Sequence, residues 1–65
     1  MTNNDIRMAT RQLASIGAYN MFDRTNVVKL AESLGFHEYA QWVTQNPIAY
    51  CELILSGRLP GDDDV

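Results

Sequence analysis

A single cysteine, Cys51, in a chain of 65 residues excludes an intramolecular disulfide, so the fold must rest on its apolar core. Its neighbours Tyr50, Leu53 and Ile54 make a buried thiol the expectation, and a reducing compartment, the cytoplasm, the expected location. The one histidine, His37, gives with Cys51 no more than a fragment of a zinc site, because metal binding needs several convergent ligands. Nor does the pair suit nucleophilic catalysis, since a thiolate is disfavoured in so apolar a segment. Glycine is scarce and scattered. Gly17, Gly35, Gly57 and Gly61 stand singly as helix or turn punctuation, which leaves no glycine-rich loop to cradle a nucleotide phosphate. No run reaches the ~18 to 20 apolar residues that cross a membrane. Polar residues also interrupt Met1 to Ile16 too often for a signal peptide, so no membrane partner is expected.

Basic charge is scarce as well: five Lys and Arg stand against eight Asp and Glu, for a formal charge of −3. Asp62, Asp63 and Asp64 account for the excess, so residues 1–61 are neutral and the acidity belongs to a tail. A domain of this size buries only about 60% of the surface its unfolded chain exposes, leaving little room for both a core and an enclosed substrate pocket. A non-enzymatic domain is expected, without catalytic residues, cofactor or metal.

What the chain does have is helical periodicity. Ile6, Ala9, Leu13 and Ile16 recur at spacings of three and four and predict a first helix over about 4–16, capped by Asn3, Asn4 or Asp5 and stopped by Gly17. After the apolar linker 18–22, Asp23 caps a second helix over 24–34. It turns Val27, Leu30, Ala31 and Leu34 inward and Arg24, Lys29 and Glu32 outward, with Gly35 at its C-terminal end. Met21 and Phe22 are placed as a hydrophobic staple over its first turn. A third helix over 37–45 carries Tyr39, Ala40, Trp42 and Val43 on its apolar side, with His37 solvated at its start. Asn46-Pro47, a preferred cap followed by the residue favoured at the first helical position, opens a fourth over 47–56 that Gly57 ends. The expectation is an all-α bundle of four short helices, one domain over 1–57, with a flexible acidic tail over 58–65.

In the fourth helix only Glu52 is charged, so apolar residues surround it nearly completely. Either the other helices wrap all of it but Glu52, or part of it meets a partner or a second copy in a homodimer. The row Ile48, Cys51, Leu55 is read as core and the offset row Tyr50, Ile54 as interface. With Tyr19, whose phenol tolerates partial exposure, and Leu53, the candidate partner-binding residues are Tyr19, Tyr50, Leu53 and Ile54. Phe22 and Trp42 are read as core.

Nucleic acid is the rival partner. Ala31 stands four residues before Gly35, as in many helix-turn-helix units, which would make the third helix a recognition helix. That helix has no Lys or Arg, and the five bases are scattered at positions 7, 11, 24, 29 and 58. Phosphate anchoring is therefore weak and DNA binding is disfavoured.

The run Gly17-Ala18-Tyr19-Asn20-Met21-Phe22-Asp23 is followed by Val27/Val28, Ala31, Gly35-Phe36, Glu38-Tyr39, Trp42, Asn46, Tyr50, Ile54 and Gly57. This pattern resembles a family of small uncharacterised proteins of Firmicutes and their phages, whose signature centres on Asn-Met-Phe-Asp. The likeness spans about residues 5–57 and departs from that family at Ala18-Tyr19 and in the Asp-rich tail. It implies a phage or mobile-element accessory protein, with no activity or catalytic residue to carry over. Leu34-Gly35-Phe36 is also similar to the first loop of ubiquitin-associated three-helix domains, which would nominate Leu34, Gly35, Phe36, Leu53 and Ile54 as contacts. The expected function is a protein-binding module of the host cytoplasm that occludes a host protein, such as a defence protein. A small helix-turn-helix DNA-binding regulator is the alternative.

Overall fold

The computed structural model describes residues 1–16 and 20–61. Among them are four helices, α1 (Asn3–Ile16), α2 (Arg24–Ser33), α3 (His37–Gln45) and α4 (Pro47–Ser56), and no strand, which is the all-α architecture expected.

A capping box opens α1. The Asp5 N–H donates to Thr2 Oγ1 at 3.1 Å, and the Thr2 N–H donates back to Asp5 Oδ2 at 3.0 Å. The cap is thus Thr2, just outside the expected Asn3 to Asp5 set, and Asp5 is its reciprocal partner. Hydrogen bonding by Thr2, first through its backbone amide, holds the Asp5 carboxyl below the usual aspartate range. Ile6, Ala9 and Leu13 face the core, whereas Ile16, expected beside them, is half exposed at the last residue of the helix.

Asp23 caps α2 as expected, accepting from the Asn26 N–H at 3.5 Å and from Asn26 Nδ2 at 2.7 Å. The far end closes in a Schellman motif: the Phe36 N–H reaches the Ala31 carbonyl at 2.8 Å and the Gly35 N–H reaches that of Glu32 at 3.1 Å. Gly35 makes this possible by adopting φ +85°, a left-handed conformation that side chains resist. The reversal lays α3 along α2 in the most extensive helix pairing of the fold. It also leaves Leu34, expected inward, half exposed in the turn, while Phe36 packs against the core.

Asn46 departs from expectation. Its side-chain Nδ2 and its backbone N–H both donate to the Trp42 carbonyl, at 3.0 and 2.9 Å, so it closes α3 and gives α4 no side-chain cap. Pro47 softens that loss, because the first residue of α4 then has no N–H to satisfy.

The core gathers Ile6, Ala9 and Leu13 from α1, Val27 and Ala31 from α2, Tyr39, Ala40 and Val43 from α3, Tyr50 and Leu53 from α4, and Leu59. Leu59 moves the expected domain boundary. Residues 58–61, read as the start of the tail, turn back onto the bundle with Leu59 only 5% exposed. Pro60 C=O accepts from Asn3 Nδ2 at 2.9 Å, and Gly57 C=O accepts from Arg7 Nη2 at 3.1 Å. The folded unit therefore extends to Gly61; the rest of the expected tail, 62–65, lies outside the described residues.

Candidate interaction surface

An almost wholly apolar helix can be turned either way, and the orientation of α4 is decided by a hydroxyl. Tyr50 is 1% exposed, and its OH donates to the Met21 carbonyl at 2.6 Å, tying α4 to the connection that precedes α2. Nearby, Thr10 Oγ1 sits 2.8 Å from the Ile6 carbonyl and 2.8 Å from the Tyr39 hydroxyl. The single threonine proton goes to Ile6, so Tyr39 is the donor in the second bond. Trp42 links the two phenols, stacked on Tyr39 with centroids 6.2 Å apart and edge-on to Tyr50 at 6.5 Å. Burial pushes both phenols above the ordinary tyrosine value, and for Tyr50 the neighbouring Tyr39 adds to it.

This orientation reverses the expected division of α4. Tyr50 and Leu53, read as partner-binding, are core, and Ile54 is half-buried against it. Ile48, Cys51 and Leu55, read as core, form the outer face: Ile48 is 79% and Leu55 74% exposed, and the Cys51 thiol is exposed rather than buried. The two rows are equally apolar, so periodicity separates them without saying which faces inward. Tyr19, the remaining candidate, lies outside the described residues.

The turn before α2 holds a residue that sequence reasoning misplaced. Asn20 Oδ1 accepts from the Phe22 N–H at 2.9 Å, Asn20 C=O from the Asp23 N–H at 2.9 Å, and Phe22 C=O from the Arg24 N–H at 3.0 Å. With the Tyr50 hydroxyl on Met21 C=O, every residue from Asn20 to Asp23 is fixed by a hydrogen bond. Met21 turns onto the core, but Phe22, expected in the core or stapled over the helix, is 51% exposed. The turn is hydrogen-bonded at each residue and its aromatic ring is half exposed.

Across the molecule, His37 Nδ1 meets Glu32 Oε2 at 2.6 Å over the α2–α3 reversal, a pairing hidden in the sequence by the intervening turn. The pair edges an open groove of about 470 Å³ over α3, lined also by Ala40, Gln41, Thr44 and Gln45. Neither this lining nor the rest of α3 includes a Lys or Arg. Among the described residues no three His, Cys, Asp or Glu side chains converge on a metal position, and no helix is long and apolar enough to cross a membrane.

Residues 1–58 match the profile of the family described as Domain of unknown function (DUF5049). The chain belongs to that family. No curated protein and no solved structure matches it. The matched stretch of this DUF5049 chain holds all four described helices, the Asn20–Asp23 turn and the Gly57 cap. It stops one residue short of Leu59, which the structure nonetheless places in the core.

Proposed function

We propose that this DUF5049 chain is a non-catalytic protein-binding module and that the Asn20–Asp23 turn carries recognition. The supporting observation is Phe22, a half-exposed ring on a backbone fixed by the hydrogen bonds of its own turn and by Tyr50. Interfaces draw most of their energy from a few aromatic anchors, and an anchor on a rigid backbone loses little conformational freedom on binding. Covering the exposed half of the ring is worth roughly 1 to 1.5 kcal/mol by apolar area alone. Tyr19, in the same connection between α1 and α2, is the second contact on this reading.

In its finer form the proposal is an accessory protein of a phage or mobile element that acts in the host cytoplasm by occluding a host protein. It rests on the resemblance carried by the same Asn-Met-Phe-Asp string and on a domain size that leaves little room for both a core and an enclosed substrate pocket. The DNA-binding alternative has less to stand on. The five bases sit on α1, on α2 and at Arg58, and none on α3.

The test is capture from a nuclease-treated Firmicute host lysate by the tagged chain beside its Phe22→Ala variant, with circular dichroism to verify folding. One stoichiometric protein, depleted about five- to tenfold by the substitution, is the expected result, as a loss of 1 to 1.4 kcal/mol implies. Equal capture by both chains removes the turn from the interface. Retention of nucleic acid alone, from lysate not treated with nuclease, transfers the reading to a DNA-binding regulator.

A further inference from the structure

We infer that the outer ridge of α4 is a contact between two copies of this chain, packed antiparallel about a two-fold axis. The surface is separate from the Phe22 turn, so the inference stands beside the proposed function and does not depend on it.

Ile48 and Leu55 are seven residues apart, which returns a helix to nearly the same direction, and both point away from the buried Tyr50 and Leu53. Cys51 occupies one shoulder of the ridge and Glu52 the other, and all four residues are exposed. The arrangement is its own complement. Ile48 and Leu55 lie symmetrically about the point between Cys51 and Glu52, so a second α4 crossing antiparallel there sets Ile48 of one chain against Leu55 of the other at both ends. One two-fold operation satisfies both contacts, as an isologous interface requires.

The chemistry of the face also favours a copy over a polar partner. Within α4 itself Glu52 is the sole charge, and the neighbouring Ser56 hydroxyl already donates to the Glu52 backbone carbonyl at 2.8 Å. The two-fold brings like shoulders to the same side. Glu52 meets its counterpart there, but Arg58 lines the same groove as Glu52, with Ile48, Ala49, Leu59 and Pro60. Two guanidinium groups therefore accompany the two carboxylates. On the opposite side Cys51 meets Cys51. For helices ~8 to 10 Å apart, that shoulder position puts the two Cα atoms about 6 Å from each other, within the span a disulfide bridges.

Area sets the remaining requirement. A stable interface needs roughly 600 Å² from each partner, about a seventh of the 4356 Å² surface of this chain. A ten-residue helix is too short to supply that alone. The groove of about 390 Å³ beside the ridge widens the face, because the closing segment around Pro60 forms its far wall.

The experiment is sedimentation equilibrium under reducing conditions on the wild-type chain, Ile48→Glu, Leu55→Glu, Cys51→Ser and Phe22→Ala, each verified by circular dichroism. The wild-type chain, Cys51→Ser and Phe22→Ala should show twice the 7.3 kDa chain mass, and the two ridge variants should be folded monomers. Mild oxidation should link wild-type chains through Cys51 and fail to do so in Ile48→Glu. A wild-type monomer at concentrations near 1 mM, where even a weak pair associates, overturns the inference. So does a dimer that survives both ridge substitutions, or loss of helix in either, which would make the ridge core. Because Phe22→Ala should keep the dimer, its loss of host-protein capture and the loss of the dimer in the ridge variants are read independently.

Discussion

Replacing Tyr50 with Phe deletes one oxygen and keeps the ring, which isolates the bond that orients α4. That hydroxyl donates to Met21 C=O at 2.6 Å from a side chain only 1% exposed. A net intramolecular hydrogen bond is worth about 0.5 to 1.5 kcal/mol, and a carbonyl left unpaired away from water costs about 1 to 3 kcal/mol more. Met21 is half-buried, so water recovers part of that second cost, and the expected loss is about 1.5 to 2.5 kcal/mol. In a small domain a urea slope near 1 kcal/mol per M turns this into a midpoint lower by about 1.5 to 2.5 M. Tyr39→Phe is the internal comparison. Its hydroxyl donates to Thr10, which keeps Ile6 C=O as its own acceptor, so no buried donor is stranded and less than about 1 kcal/mol should be lost. Urea melts followed by circular dichroism measure both variants. Amide exchange at Phe22 and Asp23 should accelerate in Tyr50→Phe alone, because the turn loses its tie to α4. A Tyr50→Phe chain no less stable than Tyr39→Phe would refute the argument that this hydroxyl sets the orientation of the helix.

The closing segment makes a second claim on stability. Leu59→Ala should cost about 2 to 4 kcal/mol in the same melts, as a truncated core side chain does, whereas removing residues 62–65 should leave the midpoint unchanged. Dependence on pH should appear at both extremes. The lowered Asp5 carboxyl contributes stability that is fully present above the ordinary aspartate value, near 3.9, and lost as pH falls through its folded value. The raised phenols of Tyr39 and Tyr50 contribute stability present below the ordinary tyrosine value, near 10, and lost as pH rises above it. Phenolate absorbance for these two should therefore emerge together with loss of helical signal.

Helix limits were legible because local chemistry sets them. Asp23, Gly35, Pro47 and Gly57 act on backbone groups within a few residues, and α3 and α4 run between the residues expected. Orientation was not legible. Nothing within α4 distinguishes its two apolar rows, because the deciding acceptor is the carbonyl of Met21, far away in sequence. Leu59 escaped for the same reason: it follows Gly57 among helix-breaking residues, and its burial depends on a bundle whose first helix is some fifty residues distant. Phe22 illustrates a third limit. The turn around it is built from short-range bonds that its Asn and Asp announce, but whether an aromatic ring in such a turn folds inward or outward is settled by the space left beneath it. Met21 takes that space.

The bonds from Asn3 to Pro60 and from Arg7 to Gly57 close the chain into a loop without any covalent link. Thr2 and Gly61 therefore lie near one edge of the bundle, beside the first turn of α1. Short glycine linkers can join such neighbouring ends while new ends are opened in an exposed turn. The present order of the helices is then one of several cyclic orders that the same set of contacts would accept.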